Sequence, residues 1–221
     1  MHSLIEPISL RDQDPVGAGS WKLVFQHPDD ERLLVKVMKR DGKVREMRTA
    51  WYQATAREGD ILLLARELRE FVAAEANATG RDLPIPRIIG LAQTDLGLGL
   101  VVEKICGRDG QRAMSLEVKL REAGLTPEIE KMLAHLIAEI NRHRIVIGEI
   151  KAANILFAED DRQRVRLVLV DGFGETSLIP LHSLSEFANT RRNMQKYRGF
   201  IRRVTENYRG VKLRSPADKQ P

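Results

Sequence analysis

Two short apolar runs near the C-terminal third, Ile155 to Ala158 and Val165 to Val170, do most to restrict what this chain can become. Each is too short for an ordinary helix and is bounded by polar residues, so the pair predicts two strands. The first run is entered through Gly148-Glu149-Ile150-Lys151-Ala152-Ala153-Asn154, with Glu149 five residues ahead of Asn154. The second ends in Asp171-Gly172-Phe173-Gly174, and Asp171 follows Asn154 by seventeen residues. An amide oxygen and a carboxylate are hard ligands of the kind that suit Mg²⁺. Turn chemistry by itself also accounts for Asn154 and for Asp171-Gly172.

Upstream, residues 15 to 38 read as strand, turn, strand, turn, strand. Pro15 to Ser20 is a small-residue turn, Trp21 to Phe25 is β-rich, and His27-Pro28-Asp29-Asp30 is a second turn. Leu33-Leu34-Val35-Lys36-Val37-Met38 is an apolar strand with one lysine inside it. The charged segment from Val44 to Glu58 is expected to be helical. Asp60 caps a helix to about Asn77, with Gly80 beyond it and Ile61, Leu64, Leu68, Phe71 and Val72 as its apolar stripe. Pro84 and Pro86 lead into a strand from Arg87 to Gln93. Thr94-Asp95-Leu96-Gly97 turns it into another from Leu98 to Ile105.

Beyond Gly107-Arg108-Asp109-Gly110 the period becomes helical. Met114 to Ala123 is a short helix. Glu128 to His143 is a longer one, with Thr126 as cap, Pro127 in its first turn, and Ile129, Leu133, Leu136, Ile137 and Ile140 along one face. A last helix is expected from Leu184 to about Tyr208. The chain therefore divides into a strand-rich part with one helix (1–106), a linker (107–110), a mainly helical part (111–208) and a basic tail (209–221).

With 221 residues, 43% of them hydrophobic, the chain can bury one ample core or two small ones. No apolar run approaches the roughly 20 residues of a membrane span. The start, Met1 to Pro7, lacks the basic-then-apolar order of a secretory signal, and Cys106 is a single cysteine, so a reducing cytoplasm is the expected location. The net charge of +5 is uneven. Nine Lys or Arg stand between Arg191 and Arg214 against one acid, Glu206. A solvated helix face explains this block. An anionic or phosphorylated partner is the alternative, and nucleic acid is disfavoured because few aromatics alternate with the charges.

Four more residue groups point to chemistry. Glycines in Gly17-Ala18-Gly19-Ser20 let backbone N–H groups approach a phosphate, although an ordinary hairpin also uses them. Lys36 in its apolar strand either faces solvent by alternation or meets an anion. A buried lysine needs a counter-ion, and the helix that follows offers Glu67 and Glu75. Together with Glu149, Asn154 and Asp171 these are the groups phosphoryl transfer requires. No histidine shows metal spacing, and no Gly-x-Ser-x-Gly nucleophile elbow occurs.

The ordered set resembles the protein-kinase-like fold, which includes the aminoglycoside phosphotransferases. It is more similar to the YrbL family of bacterial PhoP regulatory network proteins. The likeness covers roughly 13 to 200. It rests on Pro15-Val16-Gly17-Ala18-Gly19, Val35-Lys36-Val37, Arg66-Glu67-Leu68, Ile85 to Gly90, Thr94 to Gly99, Arg144-Ile145-Val146, Lys151 to Leu156 and, most specifically, Gly174 to Leu181. The resemblance implies an α+β, two-lobed fold with a β-rich N-lobe, a reduced helical C-lobe and ATP between them. By this likeness Gly17, Gly19 and Ser20 cover the phosphates, and Lys36 contacts them and pairs with Glu67 rather than Glu75. The backbone from Glu103 through Ile105 to Cys106 forms the hinge against adenine, Asn154 and Asp171 hold Mg²⁺, and Glu149 with Lys151 serves the acceptor.

The departures from active kinases are specific. Glu149 replaces the catalytic Asp and is one methylene longer, which displaces the base by about 1 Å and costs on the order of 100-fold in rate. An extra glycine precedes Phe173, and no Ala-Pro-Glu anchor follows. The expectation is a kinase-like protein that transfers phosphate to an unknown acceptor in bacterial regulation. The alternative is a pseudokinase that regulates a protein partner, with the basic 191–214 segment as its dock.

Overall fold

A computed structural model describes residues 6–19, 21–39, 61–78, 82–159, 164–174 and 186–208. Ser20, the expected helix from Val44 to Glu58, the Asp60 cap, Gly80, the segment from Glu175 to Leu181 and the tail 209–221 lie outside the described residues. The fold is mixed α+β. In chain order the elements are β1 (Gly17–Ala18), β2 (Lys22–Gln26), β3 (Leu33–Met38), α1 (Leu62–Asn77), β4 (Ile88–Thr94), β5 (Gly97–Glu103), α2 (Leu116–Ala123), α3 (Pro127–Arg142), β6 (Ile155–Glu159), β7 (Val165–Leu169) and α4 (Glu186–Tyr208). No helix among them is long and apolar enough to cross a membrane.

The chain divides into two compact units. One comprises residues 1–69 and 87–104, the other residues 70–86 and 105–221. The division at 104/105 falls just before the expected linker, which forms a tight turn with a 3-10 helix at Arg108–Gly110 and the Gly107 N–H donating to the Gln111 carbonyl at 2.9 Å. Residues 70–86 group with the second unit because their side chains and carbonyls are used there. Ala74, Leu83 and Ile85 are buried in its core, and the Pro84 carbonyl accepts from the Leu169 N–H at 2.9 Å.

The first unit is a five-stranded sheet in the order β1-β2-β3-β5-β4, with every neighbouring pair antiparallel. Alternation along the strands sends successive side chains to opposite faces. Phe25, Val35, Val37 and Val101 form a buried cluster with Leu10, which enters from the segment preceding β1. That segment is tied to the β4–β5 turn: Asp95 accepts from the Leu10 N–H at 2.9 Å and the Arg11 N–H at 3.1 Å. The Leu10 N–H, followed by the Arg11 N–H and charge, holds the Asp95 carboxyl below its ordinary value. On the other face, register puts Lys36 opposite Leu100 and Val24, with Lys22 two residues before Val24 on the same face.

Helix α1 buries Leu64, Glu67, Glu70 and Ala74. This corrects the apolar stripe expected from sequence. Val72 is 57% exposed, and two carboxylates take inward positions instead. Glu75, the rival partner for Lys36, is exposed.

In the second unit α3 is built as its sequence dictates. Thr126 accepts from the Ile129 N–H at 3.3 Å and Pro127 occupies the first turn, where its missing N–H costs nothing. All five expected face residues, Ile129 to Ile140, are buried. They join Leu116 and Leu120 of α2, Ile155, Leu167 and Leu169 of the β6–β7 hairpin, and Phe200 and Val204 of α4 in one core.

Candidate functional site

In the first unit the sequence-expected strand lysine and helix glutamate come together. Lys36 Nζ meets Glu67 Oε2 at 2.8 Å, with their side chains only 7% and 3% exposed. Burying both charges costs several kcal/mol per ion unless each is paired, so such a pair needs a partner on both sides. Sequence reasoning missed a third member. Lys22 Nζ also contacts Glu67, through Oε1, from a side chain 10% exposed. A lysine in the first position of a strand looks solvated in sequence. Its inward direction follows only from the register that puts it on the Lys36 face.

Gly17 pairs with Val24, and the Gly19 N–H donates to the Lys22 carbonyl at 2.9 Å, closing the hairpin between β1 and β2. Neither glycine has a positive φ. A Cβ would meet its nearest heavy atom at 3.7 Å on Gly17 and at 3.8 Å on Gly19, which is ordinary contact. The backbone does not itself require glycine at either position. Glu103 ends β5 with its N–H donating to the Arg87 carbonyl at 2.9 Å. Ile105 opens the second unit, buried with Ala113, Ala158 and Val168.

In the second unit the two polar loops of the sequence are sewn together. The Gly172 carbonyl accepts from the N–H groups of Gly148 and Glu149, both at 2.8 Å, and the Asn154 carbonyl accepts from the Val170 N–H at 2.8 Å. Ile155 stands opposite Leu169 in the hairpin, so Asn154 and Asp171 lie at its open end. Gly172 is required here. Its φ is +87°, and a Cβ would sit 2.4 Å from the Glu149 carbonyl oxygen. Asp171 Oδ1 accepts from the Gly172 N–H at 2.6 Å. Glu149 and Lys151 pair at 2.9 Å with side chains 60% and 53% exposed, a solvated ion pair of small energetic weight.

The strand-like stretch leading to Glu149 is gripped by side chains, which sequence reasoning also missed. Asn193, fully buried, accepts from the Ile147 N–H at 3.1 Å and donates to the Ile145 carbonyl and to Asn141 Oδ1, both at 2.9 Å. Asn189 donates to the Arg144 and Ile145 carbonyls at 3.0 and 3.2 Å. Lys196 Nζ reaches the Ile147 and Gly148 carbonyls, each at 2.5 Å. Residues 189, 193 and 196 recur at helical spacing on one face of α4, and the signal was legible as an i, i+4, i+7 polar stripe. From α1, Glu70 accepts the Val146 N–H at 2.6 Å. Lys196 was expected on a solvated, or alternatively partner-docking, basic face and instead points inward, whereas Arg191, Arg198, Arg202 and Arg203 of that segment are exposed.

A mixed α+β chain, with a buried strand-lysine and helix-glutamate pair in one unit and two stitched polar loops in the other, defines the class. The family model for the PhoP regulatory network protein YrbL matches residues 8–205, and the chain belongs to that family. It is similar to "Uncharacterized protein YrbL" of Escherichia coli strain K12 and to the protein of the same description from Shigella flexneri. Each is 28% identical over 204 residues, covering 88% of this chain and 86% of the relative.

Proposed function

We propose that this YrbL-family chain is a kinase-like protein that binds ATP with Mg²⁺ and transfers the terminal phosphoryl group slowly to an acceptor. The observation that carries the reading is the buried Lys36–Glu67 pair at 2.8 Å. A strand lysine held by a helix carboxylate is the arrangement that kinase-like folds use to present an ammonium group to nucleotide phosphates. Gly17 and Gly19 support it only as residues without side chains in the β1–β2 hairpin, where backbone can approach a phosphate. Asn154 and Asp171 suit Mg²⁺, which takes few protein oxygens and completes its shell with phosphate and water. Bound there, Mg²⁺ would offset charge on the phosphates. Lys36 would hold the α- and β-phosphates, and Glu149 would orient the acceptor hydroxyl by hydrogen bonding. Lys151, 2.9 Å from Glu149, holds that carboxylate at the loop surface.

A second reading is favoured by Glu149 itself. Its longer side chain, 60% exposed, is poorly fixed for a base that must sit within a fraction of an ångström of its target. On this reading the chain is a pseudokinase whose nucleotide site regulates a partner. Thermal denaturation with Mg-ATP tests binding, since ligand at 100 times its Kd adds about 2.7 kcal/mol. The expected shift is smaller in Lys36→Ala and Asp171→Ala. Absence of a shift in the wild type refutes both readings. Phosphate release by wild type and Glu149→Gln separates them: slower release in the variant supports transfer, and equal rates support the pseudokinase.

A further inference from the structure

One carboxylate is enough to accompany one buried lysine, yet Glu67 accompanies two. Lys22 is on Oε1 and Lys36 on Oε2, and all three side chains are at most 10% exposed. Placing a second ammonium group in such a site is costly, because each lysine gives up its hydration. Position shows what the second one is near. Lys22 opens β2, and its carbonyl closes the hairpin that carries Gly17 and Gly19 through the Gly19 N–H at 2.9 Å. Lys36 lies one register step away on β3: Lys22 is opposite Met38, and Val24 is opposite Lys36. The lysine that sequence reasoning missed therefore stands closer along the chain to the glycine hairpin than the one it found. The opposite sheet face at these strands carries Phe25, Val35 and Val37, whereas both lysines are on this one.

A lone Lys–Glu pair has a difficulty when its lysine turns toward a phosphate. The carboxylate is left buried with weaker compensation, and a buried charged group that loses its partner is heavily penalised. A second lysine on the other oxygen removes that penalty. Lysine suits the exchange, being a compact point charge on a flexible stem rather than a planar fork committed to one geometry.

We propose that Lys22 is a second phosphate-binding cation of the nucleotide site, interchangeable with Lys36. While one lysine holds Glu67, and with it α1, the other is released to the polyphosphate of a nucleoside triphosphate. The inference rests on the nucleotide reading above and adds the residue that lets Glu67 stay paired through binding.

The test is a cycle of dissociation constants for Mg-ATP and for adenosine, by calorimetry, in wild type, Lys22→Met, Lys36→Met and the double variant. Methionine keeps the apolar stem and removes the charge. Each single change should weaken Mg-ATP about tenfold or less, no more than the low end of one charged hydrogen bond, because the other lysine remains. The double change should weaken it by more than the product of the two, because each lysine covers for the other. Adenosine, which has no phosphate, should be unaffected. Unchanged Mg-ATP affinity in Lys22→Met in both backgrounds would overturn the proposal, and so would equal weakening of adenosine and ATP, the mark of a structural role. Losses that simply multiply would overturn the exchange. If Lys22→Met does not fold, Lys22→Arg replaces it: a preserved preference for ATP over adenosine supports the cation role, and a lost preference refutes it. A wild type that binds no ATP is a different result, since it removes the nucleotide reading itself.

Discussion

Replacing Asn193 by alanine puts the support of the Glu149 loop under direct strain. Asn193 makes three hydrogen bonds at 2.9 to 3.1 Å from a side chain with no solvent exposure. The Ile145 carbonyl keeps a second donor in Asn189 at 3.2 Å, and Asn141 is partly exposed and can meet water. The Ile147 N–H is the group left behind. An orphaned buried N–H costs about 1–3 kcal/mol, and the lost donation to Ile145 adds about 1. The expected loss is therefore about 3 kcal/mol. For a chain of this size that lowers Tm by roughly 6 to 12 °C. Asn189→Ala should cost less, because Asn189 uses only its amide nitrogen and its Oδ1 has no partner among the described residues. Urea denaturation gives the two energies, and hydrogen exchange reports the Ile147 amide, two residues before Glu149. An Asn193→Ala protein less than about 1 kcal/mol weaker than wild type, with Ile147 still protected, would refute the reasoning.

Two further outcomes follow from geometry already described. Gly172→Ala forces a Cβ to 2.4 Å from the Glu149 carbonyl at a φ of +87°, so it should cost about 3 kcal/mol or more in urea denaturation; a loss below about 0.5 kcal/mol contradicts the claim that the two loops are sewn through this residue. The Asp95 carboxyl is held below its ordinary value of 3.8 in the folded protein. Its contribution is therefore present above that value and lost as pH falls through the lower folded one. The Leu10 and Arg11 amides should lose exchange protection in that acid window, and at every pH in Asp95→Ala. Wild-type protection in Asp95→Ala would rule out the tether.

What could be read from sequence was whatever repeats with a local period or sits at a cap. Thr126, Pro127 and the five-residue face of α3 are of this kind, and so is the apolar strand around Lys36. From sequence, the pairing of Lys36 with Glu67 rather than Glu75 was favoured only by a family likeness, since both lie near the helix stripe; the 2.8 Å contact decides it. The inward turn of Lys22 and Glu70 was not legible, because burial of a charge is decided by a partner distant in sequence. Val72 fits the period of α1 as well as Ala74 does. Tertiary packing chose Ala74, along with two carboxylates that no hydrophobic pattern would put inside.

The sheet of the first unit ends in two unlike borders. β1 is two residues long, whereas β4 runs for seven and shows Ile89 and Leu91 to solvent. Long apolar borders recruit other chains into aggregates. Here one end of that border is closed by Ile8, whose N–H donates to the Gln93 carbonyl at 2.8 Å and whose carbonyl accepts from the Asp95 N–H at 3.1 Å. The residues ahead of β1 thus act as a bumper for the sheet as well as a cover for its core. Removing the segment around Ile8 would expose sticky main chain at that end of β4.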